Sequence, residues 1–231
     1  VDLATQKTVA FEALCRCDLK AIQKIPTQDF ILVAEESGLM MELGVKILNM
    51  VLQDAKETLL PCCPDLEIHV NVSTRQLQDD AFLKLVKRSY KAFGVNPKNI
   101  TFELTETAVM EDVQVLTDHL DGISETGSKV SIDDFGTGYS SLVWLRHLPI
   151  SSLKIDKEFI ENVCVNQNDA VITKSIVNLS KNLELRSIAE GIESKEQLDF
   201  LVKHHCPLGQ GHYFSKPMKL NDAVAYLQKN H

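Results

Sequence analysis

Along the chain, short runs with apolar residues at every second position alternate with longer stretches where they return every three or four. KTVAFEAL (7–14), LEIHVNV (66–72), NITFELT (99–105), SKVSIDD (128–134), SSLKID (151–156) and RSIAE (186–190) read as strands, with a last short one near GHYF (211–214). Helical spacing fills the gaps. Thr27 can cap a helix running through Glu36, with Gly38 as its stop. Residues 42–57 carry a helical repeat. Asp79 or Asp80 opens AFLKLVKRSYKAF (81–93), closed by Gly94 and followed by Pro97. EDVQVLTDHLDGISET (111–126) ends at Gly127. Asp169 begins AVITKSIVNLSKNL (170–183), and Ser194 with Gln197 forms a capping box.

Strand alternating with helix over this length predicts an α/β fold with a mainly parallel sheet. The strand interiors separate an open sheet from a closed one. In an open sheet both faces are covered by helices and read as apolar. Here Leu66, Ile68, Val70 and Val72 share one face, while Glu67, His69 and Asn71 share the other. The same alternation turns Val9, Phe11 and Ala13 outward and Glu12 inward. It turns Ile100, Phe102 and Leu104 outward and Glu103 inward. Asp133 faces inward against Val130 and Ile132, and Lys154 against Leu153 and Ile155. Five strands thus set a polar group on the inner face near their C-terminal ends, where (β/α)8 barrels carry their sites. Glu190 aligns with Ile188, breaks this parity, and is placed just past its strand end.

Length and composition narrow the picture. The chain has 231 residues, 44% of them hydrophobic, enough for one large globular domain. It opens as if inside a structured region, and so reads as a single domain, residues 1–231, trimmed at its N-terminus and cut from a longer protein. A net charge of −8 argues against a general binder of DNA or other phosphate backbones. No run approaches the ~20 apolar residues of a membrane span, and no signal peptide is evident, so a cytoplasmic domain without membrane contact is expected. The six cysteines lack paired CxxC spacing, which speaks against structural zinc.

Glu12, Asn71, Glu103 and Asp133 form a set of oxygen donors. Three carboxylates converging in a low-dielectric pocket must be protonated or bound to a cation. Hard oxygen ligands point to Mg²⁺ or Mn²⁺. Asp134, beside Asp133, offers ligands for a second ion, and a metal pair is a known device for phosphoryl chemistry. Lys154 can hold a nucleophilic water or stabilise phosphate charge, and Glu190 can take a proton. Any one of these residues could be an ordinary ion pair or strand-end cap. Five on successive inner faces call for a common purpose.

FEALCR (11–16), NVSTRQL (71–77), ELTE (103–106), DDFGTGYSSL (133–142), KID (154–156), AEGIE (189–193) and QGHYFSKP (210–217) follow one another over nearly the whole chain. Together they resemble the EAL-domain family, bacterial phosphodiesterases that hydrolyse cyclic di-GMP to linear pGpG. The resemblance implies a modified TIM (β/α)8 barrel with an antiparallel first strand. It implies Mg²⁺ or Mn²⁺, with inhibition by Ca²⁺. Glu12, Asn71, Glu103 and Asp133 would ligate the first ion, and Asp133 and Asp134 the second. Lys154 and Glu190 would bind or activate water. Glu106 and Glu193 would brace the glycine-rich loop around Phe135 and Gly136, Arg16 would grip a phosphate, and Gln210 would touch substrate near the metal. The DFGTGYSS stretch would link the site to a homodimer interface. Upstream regulatory domains would belong to the parent protein, with an inner-membrane anchor left open. The alternative is a catalytically silent domain that only senses cyclic di-GMP.

The sequence also departs from the family pattern. Cys15 and Cys17 replace the usual Leu and Trp, and RCDLKAIQKIP (16–26) lacks the glycine and internal proline of the usual substrate loop. His212 stands where Tyr or Phe is usual, and the customary stretch before VDLAT is missing, so a shortened first strand is expected. His204–His205, Cys62–Cys63 and the Lys87, Arg88 and Lys91 face are read as surface or packing features.

Overall fold

The computed structural model describes residues 1–16, 26–110, 113–138 and 145–230. Seven strands form one sheet in chain order. They are β1 (Ala10–Ala13), β2 (Glu67–Asn71), β3 (Ile100–Thr105), β4 (Lys129–Phe135), β5 (Ser152–Ile155), β6 (Arg186–Ala189) and β7 (Leu208–Gly209). Each neighbouring pair is parallel. The sheet is curled: Gln210, just past β7, donates from Nε2 to Glu12 Oε2 on β1 at 2.8 Å, so the two sheet edges meet across the barrel mouth.

The antiparallel first strand is not seen as a strand. Antiparallel pairing among the described residues is an isolated bridge, Asp2 to Leu208. It is flanked by Gly209 N–H to Val1 O and Leu3 N–H to Pro207 O, both 2.9 Å. The last short strand lies at Leu208–Gly209, just before GHYF, and residues 211–214 turn away from it, with the Gly211 backbone so close to Ile192 that a Cβ there would overlap it.

The outward strand residues make the core. Ile68, Phe102, Leu104, Val130, Ile132 and Leu153 are buried against helical Leu48, Leu52, Val86, Leu116 and Leu120. The helices form where polar signals allow. Asp79 caps helix Asp80–Phe93 by accepting from Ala81 N–H at 2.8 Å, and Gly94 ends it in the left-handed region at φ +64°. The Ser194–Gln197 capping box opens helix Lys195–Lys203. Two starts differ from the sequence reading. Thr27 is the first helical residue after Pro26 and makes no cap bond. Helix Gln167–Asn182 is capped by Asn166, which accepts from Asn168 N–H, and Asp169 lies inside its first turn.

His204 is the C-cap of helix Lys195–Lys203, with its ring against Phe200. Cys62 is exposed and Cys63 buried. Most of the unusual loop after Cys15 lies outside the described residues. Among those described, no helix is long and apolar enough to cross a membrane.

Leu52 is fully buried between the sheet and its covering helices. Leu52→Ala is expected to lower unfolding free energy by about 2–5 kcal/mol, and Asp79→Ala by about 1 kcal/mol through the lost cap. Urea unfolding followed by circular dichroism checks both.

Candidate active site

The inner strand faces carry two polar tiers. In the lower one, Glu67 on β2 takes Lys129 Nζ at 2.6 Å and both Arg186 nitrogens at 2.8 Å. Arg186 therefore faces inward, and Ile188 and Glu190 share its side of β6. This corrects the parity assigned to Ile188. Glu190 follows the alternation of its own strand rather than breaking it. Its position just past the strand end stands.

The upper tier gathers around Lys154, 1% exposed on β5. Its Nζ lies 2.7 Å from Glu190 Oε1, 3.0 Å from Glu103 Oε1, 3.1 Å from Asp133 Oδ1 and 3.7 Å from Glu12 Oε2. Glu12 is held from both sides, by Asn71 Nδ2 at 2.9 Å and Gln210 Nε2 at 2.8 Å. Residues from five strands and two strand ends thus meet at one point, at the C-terminal rim of the sheet.

Asp133 and Asp134 reach this rim together through a β-bulge. Ile132 pairs with Leu153 and Phe135 with Ile155, so β4 carries one residue more than β5 between these pairs. Asp134 absorbs the extra residue in the left-handed region, at φ +53°. Phe135 is thereby returned to the outer face, 4% exposed in the core. Without the bulge, Phe135 would follow Asp133 inward. The turn beyond is fastened by Glu106 Oε2, which accepts from Gly136 N–H at 2.7 Å and Gly138 N–H at 3.2 Å. Gly136 takes φ +105° with Phe159 only 2.8 Å from where a Cβ would sit, so a side chain fits neither backbone nor space. Residues 139–141, the end of the DFGTGYSS stretch expected to reach a dimer interface, lie outside the described residues.

Two expected residues stand apart from the cluster. Glu193 is 69% exposed at its side chain, and its carboxylate faces His212 Nδ1 at 3.7 Å rather than the upper tier. Arg16 lies at the cleft rim, with Nη1 bonded to Cys15 O at 2.7 Å. Two residues given no role belong to the site. Asp156 caps the next helix through Glu158 N–H at 2.7 Å and is close enough to Asp134 to help raise its pKa. The signal was its position two residues after Lys154. His69, recognised as inward-facing, binds Glu103 at 2.7 Å.

The charges explain one another. Burial works against the Lys154 ammonium, yet the surrounding Glu103, Glu190, Glu12 and Asp133 hold its pKa well above the ordinary lysine range. Burial also works against the Glu103 anion, but the His69 hydrogen bond and the Lys154 charge outweigh it and keep its pKa low. One ammonium cannot do this for every carboxyl. Burial raises Asp133 despite Lys154. Burial, the Asp133 charge and the nearby Asp156 push Asp134 up to about 6. Burial, against Lys154 but with the help of Asp133, pushes Glu190 up to about 8.

Oxygens of Asp133, Asp134 and Glu190 lie within 4.8 Å of one another, a group that could hold a metal ion. Glu103 Oε2, on a side chain with no exposure, has no hydrogen-bond partner among the described residues. A bare buried carboxylate oxygen is costly unless something positive meets it, so the donor set fits a hard divalent cation. The site opens into a cleft of about 1220 Å³ whose walls also carry Lys46, Lys157, Lys216 and Lys219.

A curled parallel sheet with its polar site at the C-terminal strand ends defines an α/β barrel protein. The chain belongs to the EAL domain family, whose model matches residues 1–217. YkoW of Bacillus subtilis, named a signaling protein, is 35% identical over 213 residues, which are 92% of this chain and 26% of that protein. NbdA of Pseudomonas aeruginosa, named a cyclic di-GMP phosphodiesterase, is 34% identical over 226 residues, 98% of this chain and 29% of that protein. The structure described as the PaMucR phosphodiesterase in complex with c-di-GMP superposes with a TM-score of 0.88 at 33% identity, covering 93% of this chain and 87% of that one. The chain therefore spans only a quarter to a third of its curated relatives' length.

In the cation-free protein, Asp134 and Glu190 keep protons to about pH 6 and 8. A cation binds the deprotonated forms, so it must displace those protons. Mn²⁺ affinity is expected to strengthen as pH rises from 6 to 8, with net proton release. Calorimetry in buffers of different ionisation enthalpy measures both.

Proposed function

We propose that this domain is a metal-dependent phosphodiesterase that hydrolyses cyclic di-GMP to linear pGpG. The observation that carries the reading is the imbalance at the rim. Glu12, Glu103, Asp133, Asp134 and Glu190 converge there against the single ammonium of Lys154. With all five carboxyls ionised, as cation binding requires, the uncompensated charge of four matches two divalent cations. Glu12, Asn71, Glu103 and Asp133 would hold one ion, and Asp133 and Asp134 the other, with Mg²⁺ or Mn²⁺ suited to these oxygen donors. Bound there, the ions would supply Lewis-acid polarisation of the phosphate and a lowered pKa for water.

The chain's own groups do the rest. Glu190 is placed to accept the proton of the attacking water. Lys154, in contact with Glu190, holds that carboxylate in place and keeps a positive charge beside the scissile phosphate. Attack at phosphorus breaks its bond to the 3′ oxygen, which leaves as a hydroxyl, and the phosphate stays on the 5′ side. Gln210 and Asn71 fix Glu12 between them. The lysines of the cleft wall and Arg16 at its rim attract an anionic dinucleotide, and the cleft volume exceeds the about 300–1,000 Å³ of ordinary small-molecule pockets. The named activity of NbdA and the nucleotide complex of PaMucR support the same reading. The domain would serve a longer signalling protein, as the length of its relatives suggests.

Purified domain with cyclic di-GMP and Mg²⁺ or Mn²⁺, followed by HPLC, is expected to accumulate pGpG and to stop with EDTA. Nucleotide binding without turnover in either metal would make it a sensor instead. Glu12→Ala is expected to abolish turnover. Glu190→Gln and Lys154→Ala are expected to lower kcat by ~10²–10⁴-fold, while calorimetry still detects the nucleotide. Full kcat in Glu190→Gln would remove Glu190 from the role of base.

A further inference from the structure

His69 sits on the inner face of β2 between the two polar tiers and is 5% exposed. Its Nδ1 lies 2.7 Å from Glu103 Oε1, and its Nε2 lies 4.0 Å from Glu67 Oε2. Glu67 cannot follow the ring if it moves, since Lys129 and the paired nitrogens of Arg186 hold it from below. Lys154 Nζ also lies 3.0 Å from Glu103 Oε1. Both cationic or donating neighbours of Glu103 therefore meet the same oxygen, and Oε2 has none.

That division is not one a free carboxylate would choose. The terminal torsion of glutamate is soft, and a buried carboxylate oxygen without a partner carries a cost that turning it toward the Lys154 ammonium would relieve. We propose that His69 is a positioning residue: it pins Glu103 Oε1, with Glu67 as the fixed stop behind the imidazole, so that Oε2 stays available to a divalent cation. Without His69, Glu103 rotates onto Lys154, the two neutralise each other, and the rim loses a ligand. The proposal rests on the metal-site reading above. It assigns a task to the lower tier, which otherwise touches no part of the rim.

The test is Mn²⁺ binding to the protein without nucleotide, read from the free-ion signal in electron paramagnetic resonance, with thermal melting in EDTA alongside. Partners that orient a metal ligand typically matter by ~10–100-fold in affinity. His69→Leu is expected to weaken Mn²⁺ by that factor. His69→Asn, whose amide nitrogen falls where Nδ1 lies, is expected to restore most of it. His69→Gln, whose nitrogen falls nearer the place of Nε2, is expected not to, and it stands in for His69→Leu if the latter fails to fold. A purely structural histidine would not order Asn above Gln. Wild-type Mn²⁺ affinity in folded His69→Leu or His69→Gln would overturn the proposal. So would a loss in His69→Asn as deep as in His69→Leu. A wild-type protein that binds no Mn²⁺ would instead overturn the metal-site reading beneath it.

Discussion

The buried ammonium of Lys154 is the contact on which the rest of the site depends. It touches carboxylates from β1, β3, β4 and the end of β6, so no flat sheet could satisfy it. Only a curled sheet brings Glu12 and Glu190, from strands near opposite edges, to one nitrogen. Burying one charge costs several kcal/mol unless it is paired, and here a single cation meets four partners. The pairing is sound for Lys154 and insufficient for the acids: burial first, and then the neighbouring Asp133 charge, raise Asp134 and Glu190 to about 6 and 8 because the one ammonium does not offset them.

The lower tier shows what the same barrel does when nothing is to be bound. Glu67 there meets two cations and its pKa falls to about 2: burial opposes ionisation, but the bonds and charges of Arg186 and Lys129 prevail. The one acid there is fully paired, with cations in excess. Four residues further up the strands, the ratio inverts to many acids and one base. Two tiers of one interior, made from the same residue types, thus differ in a way that packing alone does not require. The imbalance lies at the C-terminal strand ends, where loops and an open cleft give access.

Much of this was legible in the sequence. Alternation placed Glu12, Asn71, Glu103, Asp133 and Lys154 on one face because a strand has no other way to direct side chains. What escaped was whatever broke the period or depended on partners distant in the chain. The bulge at Asp134 is a register difference between β4 and β5, and neither strand shows it alone. Ile188 was assigned outward because apolar residues usually are, whereas Arg186 paired with Glu67 across 119 positions fixes β6 the other way. Glu193 carried a motif position, yet its side chain points to His212 and solvent. A capping asparagine in place of an aspartate, at Asn166, turned on a run of four polar residues, 166–169, where local signals barely differ.

The overall charge of −8, which argues against a general binder of phosphate backbones, must be offset locally if the ligand is an anionic dinucleotide. The structure resolves this by distance. Screening confines charge to about 8–10 Å at ordinary salt, so a ligand in the cleft responds to its walls and not to the whole surface. Those walls bear Arg16, Lys46, Lys157, Lys216 and Lys219, while Glu12, Asp133 and Glu190 among the acids that line the same cleft converge on Lys154 at its floor. An empty floor of carboxylates would repel the phosphate. Filled by cations, it becomes the most attractive point in the cleft. Under the proposed function the same acids would repel an anionic nucleotide from the cation-free protein and draw it to the loaded one, so nucleotide affinity would follow metal occupancy.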